Sequence, residues 1–293
     1  MTRERPLVVG VDGSDGCLPA VDWAVDEAAR HGLPLRLVHG SLWERYEGRT
    51  PSAGLDRPAG QVRADHIVAS AAERAVRRDP RVKVSTDVLL ADATDALLRA
   101  GDHATALVTG SRGRGELKGL LLGSVGLAVA ARAHCPVVVV RGDKAGLAGT
   151  HQRVLLGAGG PSTSGEAVRF AFREAQARGG VLDVVRTWRR AAHTSSGASG
   201  REHEERARAE LEELLGAATA EHPAVRVHRT VLEGPARKVL VHRSAAADLV
   251  VVGARRRQGH VGLQLGTVAH TLLHHAACPV AVVPHGASRE PPA

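Results

Sequence analysis

Short runs of Val and Leu alternate along this chain with longer segments in which apolar residues recur every three or four positions. In the N-terminal half the runs are PLVVGV at 6–11, PLRLVH at 34–39, VKVSTDVLL at 82–90, TALVT at 105–109 and PVVVV at 136–140. Their near-continuous apolar character, without strict alternation, suits strands covered on both faces. Between them, residues 17–31, 61–79, 93–101 and 124–133 carry apolar side chains at helical spacing, with Ala, Arg and Glu elsewhere. This alternation of strand and helix predicts a parallel sheet with right-handed crossovers.

The same rhythm returns in the C-terminal half, with strands predicted near 153–157, 181–186, 224–232, 249–252 and 279–283. The recurrence extends to residue identity. RPLVVGVDGSDG is echoed by QRVLLGAGGPST, HATALVTGSRGRGELKGLLLGSVG by AADLVVVGARRRQGHVGLQLGTVA, and AHCPVVVVRG by AACPVAVVPH. Ser124 and Cys135 are as far apart as Thr267 and Cys278, so the spacing within the repeat is kept. A chain of 293 residues accommodates two domains of ordinary size, and the repeat places them at 1–145 and 150–293, joined near 142–152. Two polar stretches, 43–60 and 188–205, occupy equivalent places after the second strand of each half. Both are predicted to be loops running into the next helix, either plain connections or lids over a nearby ligand.

Composition narrows the classes. The three cysteines are far apart, with no CxxC and no Cys/His ligand spacing, so buried reduced thiols are expected, with neither a disulfide nor a zinc site. No segment approaches the ~18 apolar residues that would span a bilayer, and the opening MTRERPLVVGVDGS reads as a first strand better than as a secretory signal. A cytoplasmic location is expected. The formal charge of +8 raises the question of nucleic acid. Against it, only six residues are Phe, Trp or Tyr, and the arginines are scattered without forming one dense stripe.

The chemistry is concentrated in GSRGRGELKGLLLGS, Gly110 to Ser124. This stretch is rich in bare backbone and holds one carboxylate, no His and no Cys. Exposed amides and glycines suit close approach to a phosphate, and Arg112, Arg114 and Lys118 add positive charge. In an open parallel sheet such a loop binds ligand beyond the carboxyl ends of the strands, where strand order reverses. A second glycine turn, GVDGSDG, follows the first strand and would face the same place if the first and fourth strands are neighbours. The spacing G-x2-G-x9-G-S, through Gly110, Gly113, Gly123 and Ser124, is not a Walker loop, because no Lys precedes Ser124; nor does it fit G-x-G-x-x-G.

That spacing, together with VVGVDGS near the start and HCPVVVV at the end of the half, resembles the universal stress protein family in its ATP-binding, tandem-domain form. The resemblance covers nearly the whole chain, once per half. It implies two tandem α/β domains of Rossmann-like fold, each an open five-stranded parallel sheet of order 3-2-1-4-5 flanked by helices. It also implies an adenine nucleotide, ATP with Mg, between the ends of the first and fourth strands. Asp12, the backbone around Gly10, and Val38 would meet the adenosine. Gly110, Arg112, Gly113 and Arg114 would wrap the phosphates, and Gly123, Ser124 and Val125 would begin the helix facing them. The residues themselves allow these roles and simpler ones: Ser124 could only cap its helix, and Asp12 could only cap the helix that follows it. The family further implies that the two halves pair through their last strands and that chains associate as a homodimer.

The second half departs from the pattern. Gly159 stands where the first half has Asp12, and Arg256 replaces the second glycine of the phosphate loop. Gly253, Gly266 and Thr267 remain, so this copy either has lapsed or binds with Arg255 to Arg257 compensating by charge. No catalytic constellation is evident: the sixteen histidines are dispersed, and neither HxGH nor GxSxG occurs. The expectation is a nucleotide-dependent stress regulator or sensor without catalytic or metal-ligating residues. An interaction scaffold that binds no nucleotide, and a slow ATPase, are the alternatives.

Overall fold

The computed structural model describes residues 5–42, 59–113, 122–189, 200–254 and 265–285. The chain divides into two compact units, Met1–Val140 and Arg141–Ala293.

In the first unit the strands are β1 (Leu7–Gly10), β2 (Leu35–Gly40), β3 (Val84–Leu89), β4 (Ala106–Gly110) and β5 (Val137–Val140). The described helices are α1 (Leu18–His31), α2 (Ala59–Arg78), α3 (Ala93–Gly101) and α4 (Ser124–Arg132). All strand pairs are parallel, in the order β3-β2-β1-β4-β5. Leu7 of β1 lies opposite Leu35 on one side and Ala106 on the other. The chain therefore builds outward from β1 to β3 and then returns to the other side of β1, which leaves the loops after β1 and β4 diverging from one point.

The apolar runs become strands because helices cover both of their faces. Val8, Val9, Leu35, Leu37, Leu107 and Val108 are all fully buried. Edge strand β3 is the exception, with Ser85 and Thr86 exposed and Asp87 paired across to Arg36 of β2. On the outer surface, α1 presents Asp22 and Asp26 one turn apart, and α2 presents Arg74 and Arg78 at the same spacing. Each Arg grips its Asp with two hydrogen bonds of 2.6–2.7 Å.

The second unit repeats the plan with β6 (Arg153–Gly157), β7 (Val181–Trp188), β8 (Arg226–Glu233), β9 (Leu249–Ala254) and β10 (Val280–Pro284). Its described helices are α5 (Lys144–Ala148), α6 (Pro161–Arg178), α7 (Gly200–Glu221), α8 (Ala236–Ser244) and α9 (Thr267–His275). The order β8-β7-β6-β9-β10 is the same topology, again all parallel. The expected fold, two tandem open parallel sheets of order 3-2-1-4-5, is the one observed.

Three local features differ from the sequence reading. The expected joint at 142–152 holds the short helix α5, whose N-terminus is capped by Asp143 through Gly146 N at 2.9 Å. Trp188 ends β7 and does not begin a loop. Residues 200–205, taken as loop, are the first turns of α7. That segment has few apolar residues, but pairs such as Arg201–Glu205 and Glu204–Arg208 supply helix-compatible contacts four positions apart. The rest of the two polar stretches, 43–58 and 190–199, lies outside the described residues.

Cys17, Cys135 and Cys278 are free and buried. Burial pushes the Cys17 and Cys278 thiols well above their ordinary range, so both stay protonated at neutral pH.

Asp248, 3% exposed, fixes the start of the second sheet: its carboxylate accepts from His151 N at 2.9 Å and Arg153 N at 3.1 Å. Asp248→Ala strands both amides, so urea unfolding should show a loss of about 2 kcal/mol, with a smaller loss for Asp248→Asn, which keeps one acceptor.

Candidate functional site

The site is built from two turns that leave adjacent strands. After β1 the chain passes Val11, whose amide donates to Val38 O of β2 at 2.9 Å. It then turns through Asp12 and Gly13. Asp12 Oδ1 accepts from Ser14 N at 3.0 Å and Ser14 Oγ at 2.6 Å, closing an Asx turn that leads into a short 3₁₀ segment at Asp15–Cys17. After β4 the chain passes Gly110, Ser111, Arg112 and Gly113.

The two turns press against each other backbone to backbone. A Cβ on Gly110 would lie 2.6 Å from Gly16 O, and one on Gly16 would lie 2.8 Å from Arg112 O. A Cβ on Gly113 would lie 2.6 Å from Asp12 Oδ2. No side chain fits at these three positions without moving main chain or the carboxylate. Asp12 of the first turn and Gly110 and Gly113 of the second are thereby brought together.

The start of α4 joins them. Gly123 N donates to Ser111 O at 2.8 Å, and Gly123 is the N-cap, in extended conformation and without a side-chain capping bond. Ser124 is the exposed first residue of the helix and Val125 is half-buried. Ser124 does not cap α4, so that simpler role is set aside. The N-cap residue thus offers no side-chain acceptor to the first amides of α4, which carry the positive end of the helix dipole. A Cβ on Gly123 would come no closer than 3.7 Å to any atom, so this glycine is not sterically required where Gly110 and Gly113 are.

Gly10 and Val38 face each other across the β1–β2 ladder; Val38 is buried, 1% exposed, and Gly10 is half-buried, with Leu97 Cδ1 of α3 2.8 Å from where its Cβ would lie. Arg112 is exposed. Arg114 and Lys118 lie outside the described residues.

Four positions gain a place here that the sequence did not single out. Gly16 closes the contact between the turns. His39 is buried at the end of β2 with Nδ1 2.7 Å from Val11 O, holding the main chain just before Asp12. Thr109 is buried beneath Gly126 of α4, and its Oγ1 has no hydrogen-bond partner among the described residues. The fourth is Arg186 in the second unit. Matching β2 to β7 through their ladders puts Arg186 in the place of His39, a signal the repeat itself carries.

In the second unit Arg186 Nη1 donates to Gly159 O at 2.5 Å, and the same guanidinium pairs with Glu210 of α7. The first unit has a carboxylate and an imidazole here; the second has a carbonyl and a guanidinium. Gly266 is the exposed N-cap of α9, again without a side-chain cap, and Thr267 is its exposed first residue. Gly253 is half-buried near the end of β9. Arg255 to Arg257 lie outside the described residues.

Among the described residues no helix is long and apolar enough to cross a membrane. The profile of the universal stress protein family matches residues 4–141 and again 150–284. A universal stress protein of Mycobacterium tuberculosis strain H37Rv is 33% identical over 303 residues, covering 96% of this chain and 97% of its own. Another, from Mycolicibacterium smegmatis, is 32% identical over 294 residues, with 96% and 97% covered. The crystal structure of a universal stress protein from Archaeoglobus fulgidus superposes with a TM-score of 0.73 over 97% of this chain and 100% of that one; at 18% identity it speaks to the fold alone. With two successive family matches and relatives that align from end to end, the chain belongs to the universal stress protein family and carries the family's domain twice.

Proposed function

We propose that the first unit binds an adenine nucleotide, ATP with Mg, and that the protein acts as a nucleotide-dependent regulator or sensor in the stress response. The observation that carries this reading is the meeting of three anion-suited pieces of backbone at one end of one sheet. These are the turn after β1, the glycine turn after β4, and the start of α4, whose N-cap is a glycine. Main-chain amides at a helix start hold phosphate without attacking it.

In this reading Gly110, Arg112, Gly113 and Arg114 surround the phosphates, and the amides of Ser124 and Val125 donate to them. The Ser124 hydroxyl is available to a phosphate oxygen or to the metal. Asp12, Gly10 and Val38 take the nucleoside end. Mg neutralises phosphate charge when bound. Among the described residues, Cys17, the thiol nearest these turns, is kept protonated by burial and is a poor nucleophile. Regulation by occupancy therefore fits better than rapid turnover, and slow hydrolysis is compatible with it. A cytoplasmic setting and association into homodimers complete the proposal.

The second unit is proposed to be a lapsed copy. Arg186 bound to Gly159 O occupies the region where the first unit presents Asp12, and the carboxylate is gone.

Two substitutions test the site by different routes. In Gly113→Val the added side chain must displace Asp12 or the turn, whereas in Gly123→Glu the backbone has room and the new carboxylate only repels phosphate. Calorimetry with Mg·ATP should show at least about tenfold weaker binding for both, a loss of about 1.4 kcal/mol or more, with circular dichroism unchanged. If wild-type protein releases no adenylate on denaturation and takes up none at millimolar concentration, the scaffold reading replaces this one.

The lapsed copy has its own expected outcome. Titration of the intact chain should saturate at one nucleotide, and Gly123→Glu should abolish that single site. Two equivalents bound, or one equivalent surviving Gly123→Glu, would show that the second unit still binds.

A further inference from the structure

Helix α9 carries three histidines in its last two turns, His270, His274 and His275. His270 and His274 are four positions apart, so successive turns of one helix face bring their rings together. The ring centroids are 4.6 Å apart with the planes inclined at 33°. The ring of His275 is 6.1 Å from that of His274. Nε2 of His274 is shut off from solvent and has no hydrogen-bond partner among the described residues. A buried ring nitrogen left unpaired is costly, which calls for an explanation.

Neutral imidazole is the commonest protein ligand for borderline first-row divalent cations, and a separation of four on a helix lets two imidazoles meet at one ion. We propose that His270 and His274 form a two-histidine site on α9 for Zn²⁺ or Cu²⁺, with water completing the coordination. The ion sits near the negative end of the helix dipole, where positive charge is favoured.

Arg141 opposes the ion, but its guanidinium is engaged by the carbonyls of Leu273 and Ala276 at the end of the same helix. Cys278 is not a ligand in this assignment, because it is fully buried and burial holds its thiol protonated. His270 is exposed, so its ring can turn aside to admit the ion.

The bound ion would link two turns of α9 and stabilise the second unit by mass action. The site lies apart from the glycine turns of the first unit and does not rest on nucleotide binding there.

The test uses the full chain stripped with chelator and then given Zn²⁺ alone at pH 7, followed by calorimetry. Wild type should take up an ion that His270→Ala and His274→Ala bind at least about tenfold more weakly, while His275→Ala keeps wild-type affinity. With Cu²⁺, the resonance pattern of two imidazole nitrogens should collapse to a simpler one in His270→Ala. His270 is exposed, so its variant stays folded even if His274→Ala does not, and circular dichroism verifies this. Zn²⁺ affinity and stoichiometry unchanged in His270→Ala, or absent from wild type, would overturn the proposal.

Discussion

Everything at the functional end of the first unit depends on main chain touching main chain. The turn after β1 and the turn after β4 approach so closely that carbonyls of Gly16 and Arg112 stand where side chains would otherwise be. Such contact is possible because β1 and β4 are hydrogen-bonded neighbours in register, and because the approaching positions have no Cβ. A parallel sheet alone would leave the two loops diverging. Glycine converts that divergence into a rigid junction, to which the start of α4 is tied through Ser111 O. The amides are thus preorganised by covalent geometry and packing, with little conformational freedom left to lose on binding.

Much of this could be read from the sequence, and the reasons are physical. Strands buried on both faces must be continuously apolar, so VVVV and LVVV announce themselves, and the internal repeat confirms each segment by its counterpart. The glycine spacing likewise records close approach, of main chain at Gly110 and of the Asp12 carboxylate at Gly113. The start of α7 was not legible, because its first turns are supported by charge pairs whose periodicity carries no apolar stripe. Gly16 was hidden for a different reason. A glycine in a turn is usually there for its backbone angles, and what distinguishes Gly16 is a partner distant in sequence. His39 and Arg186 were also obscure, because a polar residue closing an apolar strand looks the same whether it faces solvent or holds a carbonyl.

The two halves show how one architecture can keep its frame and alter its chemistry. Gly10 accommodates Leu97 as Gly157 accommodates Leu240, so the packing of the fourth-strand crossover helix against the first strand is retained. The change falls beyond the strand ends. Exchanging a carboxylate and an imidazole for a bare backbone and a guanidinium paired with Glu210 alters the local charge without disturbing a ladder bond. Core positions are constrained by volume on every side, whereas a residue at a strand terminus answers only to its few neighbours.

The disposition of sulfur has a bearing on the setting such a protein works in. All three thiols are enclosed by the fold, and the single methionine is Met1. Peroxide or hypochlorous acid reaching the folded chain finds almost no accessible soft nucleophile, and protonated thiols react slowly even when reached. Oxidative damage to cysteine in this molecule would therefore follow loss of structure and would not initiate it.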